Sequence, residues 1–153
     1  MSKFLSKEQE RTVIAAIKEA ETNTSGEIRV HIEAKCKTED PITRAKEVFA
    51  ELKMHETELH NGTIIYVATK DHKIAIWGDE GINSKVGQDF WTAELELMTK
   101  YFQADDYETG LQEAILHIGK KLKEFFPYQK DDVNELSDDI SYGGKTICFH
   151  RVR

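Results

Sequence analysis

Residues 61 to 82 read NGTIIYVATKDHKIAIWGDEGI, two apolar runs around the polar turn TKDH. TIIYVA is apolar at successive positions, so both of its faces are buried and it belongs in the middle of a sheet. The turn is short enough to return KIAIW antiparallel against its predecessor. The second run then enters Gly78-Asp79-Glu80-Gly81 without a spacer. Glycine-flanked acids at a strand end are either a solvated turn or a ligand site, and glycine at 78 and 81 frees the backbone for positive φ and close approach.

Upstream, EIRVHIEA places Ile28, Val30, Ile32 and Ala34 on one face and Glu27, Arg29, His31 and Glu33 on the other. That period of two predicts a strand with one apolar face, its polar face turned to water or a thin helix layer. Between the strands, Asp40 reads as an N-cap and Pro41 as the first residue of a helix carrying Ala45, Val48, Phe49 and Leu52 on one side. A strand, a helix and a buried strand make a right-handed crossover with parallel strands. Before them, Ser6 with Gln9 forms a capping box for a helix from residue 7 to about 21.

Two long helices follow the hairpin. One carries Val86, Phe90, Ala93, Leu97 and Tyr101; the other starts near Asp105-Asp106 and carries Leu111, Ala114, Ile115, Ile118 and Leu122. Both are expected to pack on the sheet. Past Phe126-Pro127 the chain becomes acidic and poorly periodic, and KTICFHRV reads as a last strand or an ordered tail. The division is a domain over 1–128 and an acidic extension over 129–153.

With 153 residues, 39% hydrophobic and 32% charged, the chain has the composition of a soluble globular domain that needs no disulfide or structural metal to fold. A formal net charge of −7 without a basic stripe excludes a nucleic-acid partner. Cys36 and Cys148 form no secreted disulfide framework, and no run resembles a signal peptide or a membrane anchor. A cytoplasmic monomer is expected.

Several chemistries fall away by spacing. GGKT at 143–146 would need glycine at 139 to end a phosphate loop, and Asp139 stands there. His55 and His60 are five residues apart, about 140° around a helix, and do not share a face for zinc. Ile42 stands where a cysteine phosphatase would carry arginine six positions after Cys36.

The acidic residues sort by sheet edge. Ser25, Glu27, Asn61, Asp79 and Glu80 converge where strands one and two begin and strand three ends, and Asp131, Asp132 and Glu135 return toward them. Glu39, Asp40, Asp71, Asp105 and Asp106 lie at the opposite edge. Oxygen-only sets suit Ca²⁺, Mg²⁺ or Mn²⁺ rather than zinc. Asp79, Glu80 and Glu27 on one edge, and Asp71, Asp105 and Asp106 on the other, are the candidate metal ligands. The alternative is that these acids are helix caps and solvated turns.

In order and spacing, TSGEIRVHIE, NGTIIYVA, GDEGIN, FQADDYETGL and FPYQKDDVNEL resemble the TPM domain family, whose better-known relatives are a thylakoid-lumen acid phosphatase and a photosystem II repair protein. The resemblance spans residues 5 to about 136. It implies a three-layer α/β/α sandwich around a mixed sheet, divalent cation binding through acidic loops, and phosphatase activity in some members. Two departures add negative charge: the strand-end turn is one residue longer and more acidic, and Asp105-Asp106-Tyr107 stands where many members have Gly-Asp-Tyr. The expectation is a cation-binding domain with metal-assisted phosphomonoesterase activity, or a non-catalytic domain whose cation-ordered loops meet a protein partner.

Overall fold

The computed structural model describes residues 4–127 and 140–142. In chain order it contains α1 (Lys7–Glu21), β1 (Glu27–Glu33), α2 (Pro41–Glu51), a 3₁₀ turn (Met54–Glu56), β2 (Gly62–Ala68), β3 (Lys73–Gly78), a short α3 (Glu80–Asn83), α4 (Gln88–Gln103), α5 (Tyr107–Phe125) and β4 (Ile140–Tyr142). The sheet order is β3-β2-β1-β4. β1 runs parallel to β2 and to β4, while β2 and β3 form the antiparallel hairpin. The mixed sheet and the crossover through α2 agree with the reading from sequence. β4 lies five residues before KTICFHRV, a stretch outside the described residues, as are Asp131, Asp132 and Glu135.

Local signals set the helix starts. The Ser6 side chain accepts from Gln9 N while Gln9 returns a bond to Ser6 N, and Asp40 caps α2 ahead of Pro41. Ile28, Val30, Ile32, Ile65, Val67 and Ile76 meet α1, α4 and α5 in one core; Ile64, Tyr66, Ala68 and Ala75 meet Ala45, Val48, Phe49 and Met54 of α2 in a second. Two cores on opposite faces make the sandwich three-layered. In α4 the buried face is Trp91, Glu94 and Met98, so Ala93 is exposed and the face expected from Ala93 and Leu97 is rotated by about one residue. Glu94 reaches that face because His117 of α5 binds its carboxylate at 2.9 Å.

β1 is buried along its whole length, its polar face included. At its Glu33 end that face meets Arg44 of α2, and the ion pair between them explains how charge is tolerated there. Arg44 donates to both oxygens of Glu33, at 2.9 and 3.1 Å, and extends to Glu47 and Glu51 at 3.2 and 3.3 Å. Tyr66 OH donates to the same carboxylate, and His31 Nε2 lies 3.3 Å from it. Every oxygen of the buried acid is therefore engaged, the condition under which a buried ion pair is tolerated. Desolvation pushes Glu33 upward, but the bonds from Arg44, Tyr66 and His31 outweigh it and hold the carboxyl at about 2. Burial lowers His31, so its ring is neutral and donates a hydrogen bond.

Acid should loosen this network in two stages. Both groups titrate lower in the folded state than the unfolded chain, so their stabilisation is present above the unfolded values and is lost as pH falls. His31 begins to contribute loss below roughly 6.5 and Glu33 below roughly 4.5, down to about 2. Thermal melts of wild type and Glu33→Gln across pH 2 to 7 should show the lower stage, about 3 kcal/mol, in wild type alone. Arg44→Ala, which strands a buried carboxylate, should cost about 3–5 kcal/mol at neutral pH.

Candidate functional site

The two acidic edges differ in how much of their oxygen is already used. At the edge where β1 and β2 begin, Asn61 Nδ2 donates to Ser25 Oγ at 3.2 Å, and the Glu27 amide meets Asn61 O at 3.4 Å. Glu27 is buried in this stitching. Asp79 N donates to Gly62 O at 2.9 Å, which brings the end of β3 to the same edge. Asp79 is the N-cap of α3: its Oδ1 accepts from Glu80 N at 2.8 Å, and its Oδ2 lies 3.3 Å from His60 Nδ1. Asn83 accepts from Trp91 Nε1 at 3.1 Å and Ser84 follows the helix as its C-cap. Glu80 is exposed.

The glycines of this turn do different work from that expected. Neither Gly78 nor Gly81 has positive φ. A Cβ on Gly78 would lie 2.7 Å from the Trp91 ring, and one on Gly81 would lie 2.1 Å from Leu59 O and 2.6 Å from His60 O. Their missing side chains admit the protein's own ring and backbone. Gly81 N also donates to His60 O at 2.8 Å, drawing the two segments together. Gly81→Ala must push rigid backbone apart and should cost about 1–3 kcal/mol, read as a lowered denaturant midpoint.

At the opposite edge a cleft of about 330 Å³ lies between the β2–β3 turn and the α4–α5 turn. Phe4, Val67, Ile74 and Phe102 form apolar wall; Thr69, His72, Thr99, Gln103, Asp105 and Tyr107 supply polar atoms. Asp105 and His72 both have left-handed backbone, φ 60 and 53. For residues other than glycine this conformation is uncommon, and it collects at ligand sites. Lys73 contributes to the lining, but its ammonium is bound to Glu39 O at 2.8 Å on the other side of the sheet.

The carboxylates at this edge are half used. Asp105 Oδ1 accepts from Tyr107 OH at 2.9 Å, a bond that raises the Tyr107 phenol. Asp106 Oδ1 caps α5 through Thr109 N at 3.3 Å, and Asp71 Oδ2 accepts from Cys36 N at 2.8 Å. Among the described residues, the second oxygen of each accepts no hydrogen bond. Each of those oxygens is a hard donor of the kind Ca²⁺ and Mg²⁺ take. Among the described residues, no three His, Cys, Asp or Glu side chains gather into a ready-made cage. Of the three, Asp105 lines the cleft and Asp71 and Asp106 do not, so a cation beside Asp105 would take most of its shell from carbonyls and water.

Sequence reasoning missed the cleft. Phe4 lay outside every quoted stretch, His72 was read only as part of the polar turn and Phe102 only as the start of FQADDYETGL, so the unusual Asp105-Asp106 before Tyr107 alone marked one wall. It also missed the buried Glu33 cluster, for which the alternation of charged residues along β1 was the available signal.

Comparison with known proteins follows the same architecture. The TPM domain profile matches residues 1–121. The BA42 protein of the psychrophilic bacterium Bizionia argentinensis has 43% identity and a TM-score of 0.85, over 94% of this chain and 98% of that one. The N-terminal domain of the cg2496 protein of Corynebacterium glutamicum has 12% identity and a TM-score of 0.61, covering 97% and 84%. The N-terminal domain of a P. gingivalis protein has 13% identity and a TM-score of 0.69, covering 82% and 83%. These last two share the fold alone. No curated protein matches the sequence. Among the described residues no helix is long and apolar enough to cross a membrane. With four-fifths of its length under one family profile and a 43% identical neighbour of the same fold, the chain belongs to the TPM domain family.

Proposed function

We propose that this TPM domain binds a divalent cation, Ca²⁺ or Mg²⁺ with Mn²⁺ as a weaker fit, at the hairpin-turn edge of the sheet, and acts as a cation-responsive interaction domain in the cytoplasm. The observation that carries the reading is Asp105, held in a left-handed backbone at a cleft with one carboxylate oxygen uncommitted. Asp106 and Asp71, each with one oxygen in a structural bond, lie on the same two turns but outside the cleft lining. Asp79 and Glu80 make the second centre, but Asp79 would have to share oxygens that already serve Glu80 N and His60. Few protein ligands and a water-completed shell point to affinity in the range of about 10⁻⁴–10⁻³ M.

A second reading, metal-assisted hydrolysis of phosphomonoesters, is supported by His72, an imidazole lining the same cleft. A bound cation would supply Lewis acidity toward a phosphoryl oxygen. His72 could hold the proton destined for a leaving alkoxide, and Asp105 could orient water. Against it, the Lys73 ammonium is spent on Glu39 O, and among the described residues no arginine lines the cleft to clamp phosphate.

Titration of Ca²⁺ and Mg²⁺ followed by amide NMR tests the site. Asp105→Asn should weaken affinity about tenfold and Asp79→Asn should leave it unchanged; the reverse pattern moves the centre to the strand-end turn. A chromogenic phosphate ester assayed with each ion should give no turnover. Turnover that disappears in His72→Asn would establish the enzyme reading instead.

A further inference from the structure

The cleft beside Asp105 has a second property, independent of any metal. Phe4, Phe102 and Tyr107 all line it and touch one another: Phe4 lies 4.2 Å from Tyr107 between ring centroids, Phe102 lies 5.2 Å from Tyr107, and Phe4 and Phe102 are 5.7 Å apart. All three are only partly buried, so ring surface remains available. The rim carries the Asp105 carboxylate, fixed in direction by the Tyr107 hydroxyl. Lys73, also in the lining, sends its ammonium to Glu39 O.

Rings present negative faces, and a carboxylate adds full negative charge. An organic cation is the ligand whose charge complements both, because its alkyl groups also cover the apolar wall of Val67 and Ile74. A phosphate or carboxylate ligand would instead face the like charge of Asp105. A volume of about 330 Å³ lies at the lower end of small-molecule sites, enough for a compact head group and a short tail.

We infer that the cleft between the β2–β3 and α4–α5 turns binds a small organic ammonium ion, its charged head against Phe4, Phe102 and Tyr107 and opposite Asp105. Thr69, Thr99 and Gln103 supply hydrogen-bonding groups for a polar substituent on the tail.

Choline and its uncharged carbon analogue 3,3-dimethyl-1-butanol separate charge recognition from simple filling of an apolar hollow. Titrated into the full chain and followed by amide and aromatic NMR, choline should shift Phe4, Phe102, Asp105 and Tyr107 with millimolar affinity, and the alcohol should bind at least about fivefold more weakly. Asp105→Asn should weaken choline about five- to tenfold and leave the alcohol unchanged. Phe102→Leu keeps apolar volume but removes a ring face; it should weaken choline about threefold while Ca²⁺ affinity stays as in wild type. Equal binding of choline and the alcohol, shifts that bypass these residues, or choline affinity indifferent to Asp105→Asn would each overturn the inference. Asp105 is exposed, so that variant tests the inference even if Phe102→Leu fails to fold. The metal reading fails separately, through Ca²⁺ affinity unmoved by Asp105→Asn while choline affinity drops.

Discussion

The bidentate contact between Arg44 and Glu33 is the constraint around which the α2 side of the sandwich is organised. Without it β1 would present Glu33 and His31 to a layer otherwise built from Ala45, Val48, Phe49 and Met54. Burial of an unpaired carboxylate is prohibitive, while a carboxylate receiving bonds from arginine, tyrosine and histidine is tolerable and directional. The same carboxylate gathers groups from β1, β2 and α2, so the crossover helix has one docking position rather than a range. Arg44 is pushed above its ordinary range, and Tyr66 is pushed up by burial and by its bond to Glu33. Both stay in the protonation state that donates.

Much of this architecture was legible from residue pattern. The doubly apolar TIIYVA fixed the centre of the sheet, the four-residue turn fixed its antiparallel partner, and Asp40-Pro41 fixed the start of the crossover helix. The α5 face followed from Leu111, Ala114, Ile115, Ile118 and Leu122, all buried. The α4 face did not, because its periodicity is mixed and a buried Glu94 reads as solvent-facing until His117 of another helix is known. Pairing between distant residues is invisible in a single sequence. For the same reason alternation along β1 suggested a polar face but not that Arg44 would cover it.

The candidate site was legible only as two sets of acids. What separates them is occupancy of individual oxygens and the room beside them. Asp79 spends its carboxylate on Glu80 N and His60, inside a turn whose glycines are filled by neighbouring backbone and the Trp91 ring. Asp105 stands beside open volume, its backbone held in an uncommon conformation and its carboxylate turned by one phenol. The glycines flanking Asp79 are thus accounted for by packing, whereas the backbone of Asp105 and its bond to Tyr107 set a carboxylate at the edge of a cleft.

The family profile ends at residue 121, yet the sheet does not. Ile140–Tyr142 closes the free side of β1 at Val30–Ile32, across some 110 positions of chain, and Ile140 is buried in the main core. During synthesis β1 can pair with β2 as soon as the hairpin emerges, but its other side stays open until the chain has been extended past residue 142. Until then the nascent sandwich carries β1 with one side unpaired, and among the described strands β4 acts as a clasp fastened after the elements it secures have been made.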